Sequence, residues 1–374
     1  MNFDNCYPTI LRQAKFSLPE NKYDIVAINF GPTGVVSIPN MAIIGDINKS
    51  KSKLLMIMHF DAEPMQESII TQFIKDLGSM GSNKGYNSVD YIISTSDSNY
   101  HHIANFYNNF SDYTVAEHSS KKVSIWYYFL HGYIALDWFR EYKFYSEELL
   151  IKNRKFNYTY ITMNRLVNGA RNYRLCLMSR LGEKNLTGNG LVSYSPYLED
   201  DSVYNLPQAE KMSVIKHCSH SKRFDLTGDD IPNDSMHINI DAHLSSFLNV
   251  VTETCFYQGF NHLTEKIFKP IVMLQPFVLA STPGSLRYLR GYGFKTFSNW
   301  IDESYDTITN PFKRLDAISA EVEKICKLTK SEQEDMHKEM LPTLLHNRQH
   351  FYGDFYSVLH KEMWDNFKSA LTES

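Results

Sequence analysis

The sequence predicts an α/β protein of two domains, on three observations. Short apolar runs of strand character alternate with longer amphipathic stretches. The 374 residues exceed what one ordinary core organises, about 150–200 residues. Hydrophobic residues at 43% and aromatic residues at 14% are ample for two packed interiors. Strands alternating with helices point further to mostly parallel sheets covered on both faces.

Taken in order, Tyr23–Phe30, Leu54–Phe60 and Tyr91–Ser94 are expected strands, with Met65–Leu77 the helix between the last two. The aromatic-rich stretch Lys122–Phe139 follows, in which Trp126–Leu130 reads equally as strand or buried helix. Polar and basic Arg140–Asn157 interrupts the apolar pattern, which places a domain boundary there and gives segments 1–152, 153–345 and a C-terminal helical segment 346–374. Tyr158–Met163 is then a strand, Tyr173–Leu181 an amphipathic helix, Glu183–Tyr197 loop-rich, and Ser219–Ser235 a polar surface excursion. Phe247–Glu253, the apolar run Ile271–Ala280, read as a buried strand, and the short Lys295–Phe297 piece continue the second α/β domain. Ile318–Leu328 and Ser331–Ala370 are helical, with a break expected near Pro342.

A formal net charge of -4 carries no global basic character, so any nucleic-acid contact needs a local patch. Cys6, Cys176, Cys218, Cys255 and Cys326 show no C-x-x-C spacing, which argues against zinc and against a disulfide framework. The first residues lack the basic and apolar segments of a signal peptide, and no apolar run reaches the ~18 residues of a membrane span. A reducing cytoplasm is the expected location. Neither a P-loop nor G-x-G-x-x-G is present, against a Walker-type kinase or a standard dinucleotide oxidoreductase.

Three constellations carry chemistry. In His262–Pro270 (HLTEKIFKP), ahead of the turn Thr282-Pro283-Gly284-Ser285, Thr264 is placed near a helix N-cap. Backbone N–H groups there favour an anion, and Lys266 adds a phosphate contact. The plainer reading is an ion pair between Glu265 and Lys269 four residues on. Asn164, Arg165, Arg171 and Arg174 follow a strand, where α/β sheets bind ligands, and the planar arginine fork suits a diphosphate. Solvated helix residues are the alternative. His59-Phe60-Asp61-Ala62-Glu63-Pro64 ends another strand and offers Asp61 or Glu63 as a general base, or else an ordinary helix start with Pro64 in its first turn. The acidic Trp300–Asp306 lacks the His or Cys partners of a persuasive metal site.

Val251-Thr252-Glu253-Thr254, then Leu263-Thr264-Glu265-Lys266, then Pro276-Phe277-Val278-Leu279 and Pro283-Gly284-Ser285 resemble, in order and spacing, the donor-binding region of α-1,3-fucosyltransferase-like glycosyltransferases. In that family a Phe-Glu-Asn-Ser segment precedes Tyr-x-Thr-Glu-Lys. The likeness is strongest over residues 250–300 and extends more weakly to Asn164–Leu181; Gly291–Asp306 is also similar to virus- and phage-encoded glycosyltransferases. The resemblance implies two Rossmann-like domains facing across a cleft, the GT-B architecture, with C-terminal helices bracing the first. It implies an inverting, metal-independent transferase that moves a hexosyl or pentosyl group from a UDP- or GDP-sugar co-substrate to a hydroxyl, with no further cofactor.

By position, Glu265 would bind the ribose, Lys266 the diphosphate, and Arg171 or Arg174 a second phosphate contact. Glu253, His262 and Thr264 would belong to the same donor site, and Glu63 or Asp61 would be the base. His262 stands where the family has Tyr, and Thr254 where it has Asn, so GDP-fucose is not carried over as donor. A glycan is the expected acceptor. The rival is a hydroxylated or hydroxymethylated base in viral DNA, approached through Lys121, Lys122, Lys152, Arg154, Lys155, Lys222 and Arg223. A non-catalytic nucleotide-sugar or glycan-binding module is the reading from another class.

Overall fold

Among the residues described in the computed structural model (23–30, 41–44, 53–60, 88–95, 123–194, 203, 205–218, 235–257 and 259–373), nine strands form two sheets. The first holds β1 (Tyr23–Phe30), β2 (Met41–Ile44), β3 (Lys53–Phe60), β4 (Ser88–Thr95) and β5 (Val123–Tyr127), in the order β2-β1-β3-β4-β5. Only the β1/β2 pair is antiparallel. The second holds β6 (Tyr158–Asn164), β7 (Gly190–Tyr194), β8 (Ser246–Thr252) and β9 (Phe277–Ala280), in the order β7-β6-β8-β9 and parallel throughout. The described helices are α1 (Leu130–Trp138), α2 (Glu147–Lys152), α3 (Tyr173–Glu183), α4 (Gln208–His217), α5 (Ile240–Ser245), α6 (Phe268–Val272), α7 (Ser285–Gly291), α8 (Pro311–Cys326), α9 (Lys330–Tyr352) and α10 (Phe355–Glu373).

The chain divides into two compact units, the second running Trp138–Tyr356, and α10 from Ser357 onward belongs to the first. Within the first unit, the buried Trp126 indole donates to the Met363 carbonyl at 2.9 Å and its ring packs on Phe367. Asn366 donates to the Tyr127 carbonyl, so β5 and α10 are joined by hydrogen bonds as well as apolar contact. Arg140–Asn157, which reads as a boundary, lies inside the second unit as a 3-10 turn followed by α2. Arg154 fixes it there, donating to the carbonyls of His243, Ser246 and Met273.

The core of the second unit explains several departures from the sequence pattern. β8 is buried at all seven positions, as a central parallel strand covered on both faces must be. Tyr173–Leu181 is buried at every position, packed by α4 and α8, so α3 is covered on all sides, its arginines included, rather than exposing a polar face. Glu183–Tyr197 is not all loop: Gly190–Tyr194 adds the edge strand β7, and Gly190 is required because the Tyr160 ring occupies the space of a Cβ. Ile271–Ala280 is not one strand. α6 ends through Leu274 in the left-handed region (φ 51°), Gln275 N–H closes back on the Pro270 carbonyl, and β9 begins only at Phe277.

Lys295–Phe297 forms no strand, because its backbone pairs instead with the Asn347 amide, which accepts from Lys295 N–H at 2.7 Å and donates to its carbonyl at 2.8 Å. Nor does Pro342 break its helix. α9 runs through it, held by buried Met340, Leu344 and Phe351 on either side, and the interruption falls at Gly353. The expected helix Met65–Leu77 and residues 219–234 lie outside the described residues. Among the described residues, no helix is long and apolar enough to cross a membrane.

Arg180 of α3 joins three helices: its guanidinium donates twice to Glu210 of α4, both at 2.7 Å, and once to Asp316 of α8 at 2.6 Å. Arg180 and Glu210 are nearly buried, whereas the Asp316 side chain is 64% exposed. Arg180→Ala is therefore expected to cost about 2–4 kcal/mol, because it strands the Glu210 carboxylate. Asp316→Ala should cost less than about 1 kcal/mol, being solvent-screened. Urea unfolding of the two variants checks the ordering; equal losses would contradict it.

Two buried histidines make the unit acid-sensitive. Burial, reinforced by the Arg154 charge, pushes His337 down to about 4. Burial likewise lowers His243 to about 3, with the Lys269 and Arg154 charges adding to the fall and the bond to Gln275 opposing it. Both rings stay neutral in the fold, while the unfolded chain takes up protons below about pH 6.5, so stability is full above that pH and lost as pH falls. Each is expected to remove about 2 kcal/mol by pH 5. The urea midpoint should drop between pH 7.5 and pH 5, and His337→Gln should flatten the dependence; a pH-independent midpoint would refute the account.

Candidate functional site

From β6 the chain moves outward to β7, then returns to lay β8 on the opposite flank of β6. Strand order thus reverses between β6 and β8, and in open α/β sheets the crevice beyond the carboxyl ends of the strands at such a reversal is the ligand position. Across this point the Thr252 hydroxyl donates to Asn164 Oδ1 at 2.7 Å, joining the last residues of the two strands. One lip is the loop after β6, with Arg165 exposed and Arg171 half-buried at the end of a 3-10 turn. The other is residues 253–257 and 259–266.

That second lip is built around Glu253. Its fully buried carboxylate accepts from the Thr264 backbone N–H (3.1 Å), the Thr264 hydroxyl (2.6 Å) and the Thr254 N–H (3.3 Å). Glu253 is therefore an internal strut that closes the loop. Tyr173 O–H donates to the Glu253 carbonyl, and burial pushes that phenol up to about 12, fixing it as a donor. Phe256 stacks on Tyr173 at 4.1 Å and carries the Arg314 guanidinium over its ring.

Thr264 caps a short 3-10 turn, Glu265–Ile267, which leads into α6. The Lys266 ammonium lies 2.9 Å from the Thr264 hydroxyl oxygen, 3.3 Å from the Glu265 carboxylate and 3.4 Å from the Thr254 hydroxyl. Its side chain is 30% exposed, whereas the Glu265 side chain is 5% exposed. Glu265 is thus partnered by Lys266, and Lys269 instead donates to the His237 carbonyl, so the expected Glu265–Lys269 pair gives way to a different one. His262 is buried on the same loop.

Arg171 and Arg174, three residues apart after β6, have separate roles. Arg174 is buried, and its fork donates to the carbonyls of Leu166 (2.7 Å), Thr252 (3.0 Å) and Glu253 (2.9 Å). It ties the two lips together by backbone contacts. Arg171, by contrast with Arg174, is half-buried on the lip after β6. The turn Thr282–Ser285 is also closed to an outside anion: Gly284 adopts φ 82° to start α7, and the Asp306 carboxylate accepts from the N–H groups of Leu286 and Arg287. Burial raises that carboxyl above the usual carboxylate range, against the pull of those N–H groups. Asp61 and Glu63 lie outside the described residues.

No family model and no curated protein sequence matches the chain. Among solved structures, the chain is similar to a UDP-forming α,α-trehalose-phosphate synthase from Burkholderia xenovorans, at 11% identity over 82% of this chain and 73% of that one, with a TM-score of 0.34.

Two features escape the sequence. Tyr257, next to the Glu253 loop, donates to Asn172 at the start of α3 with an O···O distance of 2.7 Å and keeps 38% of its surface exposed, which puts an aromatic face beside the crevice. Asp306 reads only as part of an acidic run, since nothing local reports its bond to a helix 20 residues upstream. A cavity of about 440 Å³ opens elsewhere in the second unit, beside Lys143, Glu147, Arg348 and Tyr352. Two of its polar groups are already committed: Arg348 donates to the Tyr142 and Tyr145 carbonyls, and Tyr352 to that of Phe139. At the end of the second sheet, the Lys266 ammonium is 30% exposed beside the strand-order reversal. Among the described residues, no group of three or more His, Cys, Asp or Glu side chains is placed to hold a metal ion.

Proposed function

We propose that this chain is a glycosyltransferase of the GT-B kind, transferring a sugar from a nucleotide-sugar donor to an acceptor hydroxyl with inversion. The observation that carries this reading is the Lys266 ammonium, held on the Thr264 hydroxyl and partly open at the strand-order reversal of the second sheet. In the proposed reaction the acceptor oxygen attacks the anomeric carbon while the bond from that carbon to the diphosphate breaks. The electron pair leaves with the nucleoside diphosphate. Lys266, with Arg171, stabilises the growing charge in place of a metal ion, and the sequence nominates Glu63 or Asp61 to take the proton. Glu265 exchanges its bond to Lys266 for the donor ribose as the diphosphate claims the ammonium.

A glycan acceptor is favoured over a base in DNA by Arg154. The guanidinium that reads as part of a basic patch is engaged by three backbone carbonyls, which leaves Lys152 and Lys155 as the exposed cations of that segment. Lys121, Lys122, Lys222 and Arg223 lie outside the described residues. The reading is tested by thermal unfolding against a panel of UDP- and GDP-sugars. One class should raise the midpoint with concentration, by mass action on the folded state, and should do so undiminished in EDTA. No stabilisation by any member at millimolar concentration would overturn it.

A further inference from the structure

We infer that Glu253 and Thr264 are positioning residues rather than donor ligands: the buried Glu253 carboxylate orients the Thr264 hydroxyl, and that hydroxyl in turn holds the Lys266 ammonium at the crevice. The functional meaning of this relay rests on the reading of Lys266 as the diphosphate contact. A threonine hydroxyl has one proton to give and lone pairs to receive. Here the proton goes to Glu253 at 2.6 Å, and the oxygen receives from Lys266 at 2.9 Å, so the direction of each bond is fixed by the neighbour that has no choice. A carboxylate can only accept, and an ammonium can only donate.

The carboxylate is itself held. It is fully buried, its remaining partners are the backbone N–H groups of Thr264 and Thr254, and its own backbone is bonded by Tyr173, Arg174 and the Ala280 carbonyl. Nothing of Glu253 is left to meet a ligand. Lys266 differs: beyond the 2.9 Å contact to Thr264, its other contacts are the longer ones to Glu265 and Thr254, at 3.3 and 3.4 Å. An incoming phosphate oxygen can displace those two while the Thr264 bond keeps the nitrogen in place. A lysine on a flexible four-carbon stem needs such a tether, since its charge is a point without the preset fork of arginine.

The test compares Thr264→Val, Thr264→Ser and Glu253→Gln with the wild type by two readouts. The first, independent of any ligand, is the rate at which acetic anhydride labels Lys266, followed by peptide mass spectrometry at fixed pH on folded protein. Wild type and Thr264→Ser should label slowly and alike, and Thr264→Val and Glu253→Gln several-fold faster. The second is calorimetric titration with UDP, GDP and inorganic pyrophosphate. Affinity should fall about tenfold in Thr264→Val, the size of one lost charge-assisted bond, and return in Thr264→Ser. Should Thr264→Val not fold, Glu253→Gln against Thr264→Ser carries the comparison. Wild-type labelling rates in the folded Val or Gln variants would overturn the relay. If labelling follows the relay but none of the three probes binds wild type, the relay stands and the nucleotide-sugar reading falls.

Discussion

Lys266→Ala is expected to lower transfer by about two to three orders of magnitude, the scale on which an electrostatic contact to a developing charge acts. The structure separates this effect from misfolding. The Lys266 side chain is 30% exposed, and its removal leaves the bonds from Thr264 to Glu253 intact. Glu265 loses a cation at 3.3 Å, for which a stability cost of about 1–2 kcal/mol is expected, too little to unfold a domain. Because the contact strengthens as the diphosphate leaves, the loss should appear in kcat more than in KM for the donor. Initial rates with the donor that stabilises the wild type check this; transfer retained within threefold would remove Lys266 from the reaction.

Arg174→Ala is the second large effect, and it is a loss of the fold. Three carbonyls on the two lips of the crevice accept from this one guanidinium, and losing these charge-assisted bonds, with the buried Thr252 carbonyl left without this donor, should cost about 3–5 kcal/mol. Arg174→Lys should rescue little, since an ammonium does not span the Leu166 carbonyl and the Thr252/Glu253 pair as a planar fork does. Arg171→Ala is expected to do the reverse, changing stability by less than about 1 kcal/mol and weakening donor affinity about tenfold. Urea unfolding and donor titration of the three variants separate the roles. A stable Arg174→Ala that binds donor poorly would show that the assignments are exchanged.

Those two arginines show where reading a sequence stops. Both follow a strand, three residues apart, and both suit a phosphate. Which one turns inward is decided by the carbonyls of Thr252 and Glu253, some 80 residues away. The same limit applies to Glu253 and Thr264, whose spacing is visible while the bond between them is not. Asp306, which closes the start of α7, is another instance.

What was legible is what periodicity reports: an α/β chain with parallel sheets, the strand ahead of Arg165, the buried strand ahead of Glu253, and a polar turn at Thr264. Ile271–Ala280 misleads because an apolar run looks alike as a buried helical turn and as a strand; only the left-handed Leu274 divides it. Pro342 misleads for the opposite reason, since packing along α9 outweighs a local helix breaker.

Hydrogen exchange, read by mass spectrometry with and without the nucleotide sugar that raises the unfolding midpoint, tests the central claim most directly. A donor at the strand-order reversal of the second sheet should slow exchange in residues 165–172 and 253–266 and leave residues 143–147 and 348–353, beside the other cavity, unchanged. Protection confined to that cavity, with 253–266 exchanging as in the free protein, would contradict the assignment of the site.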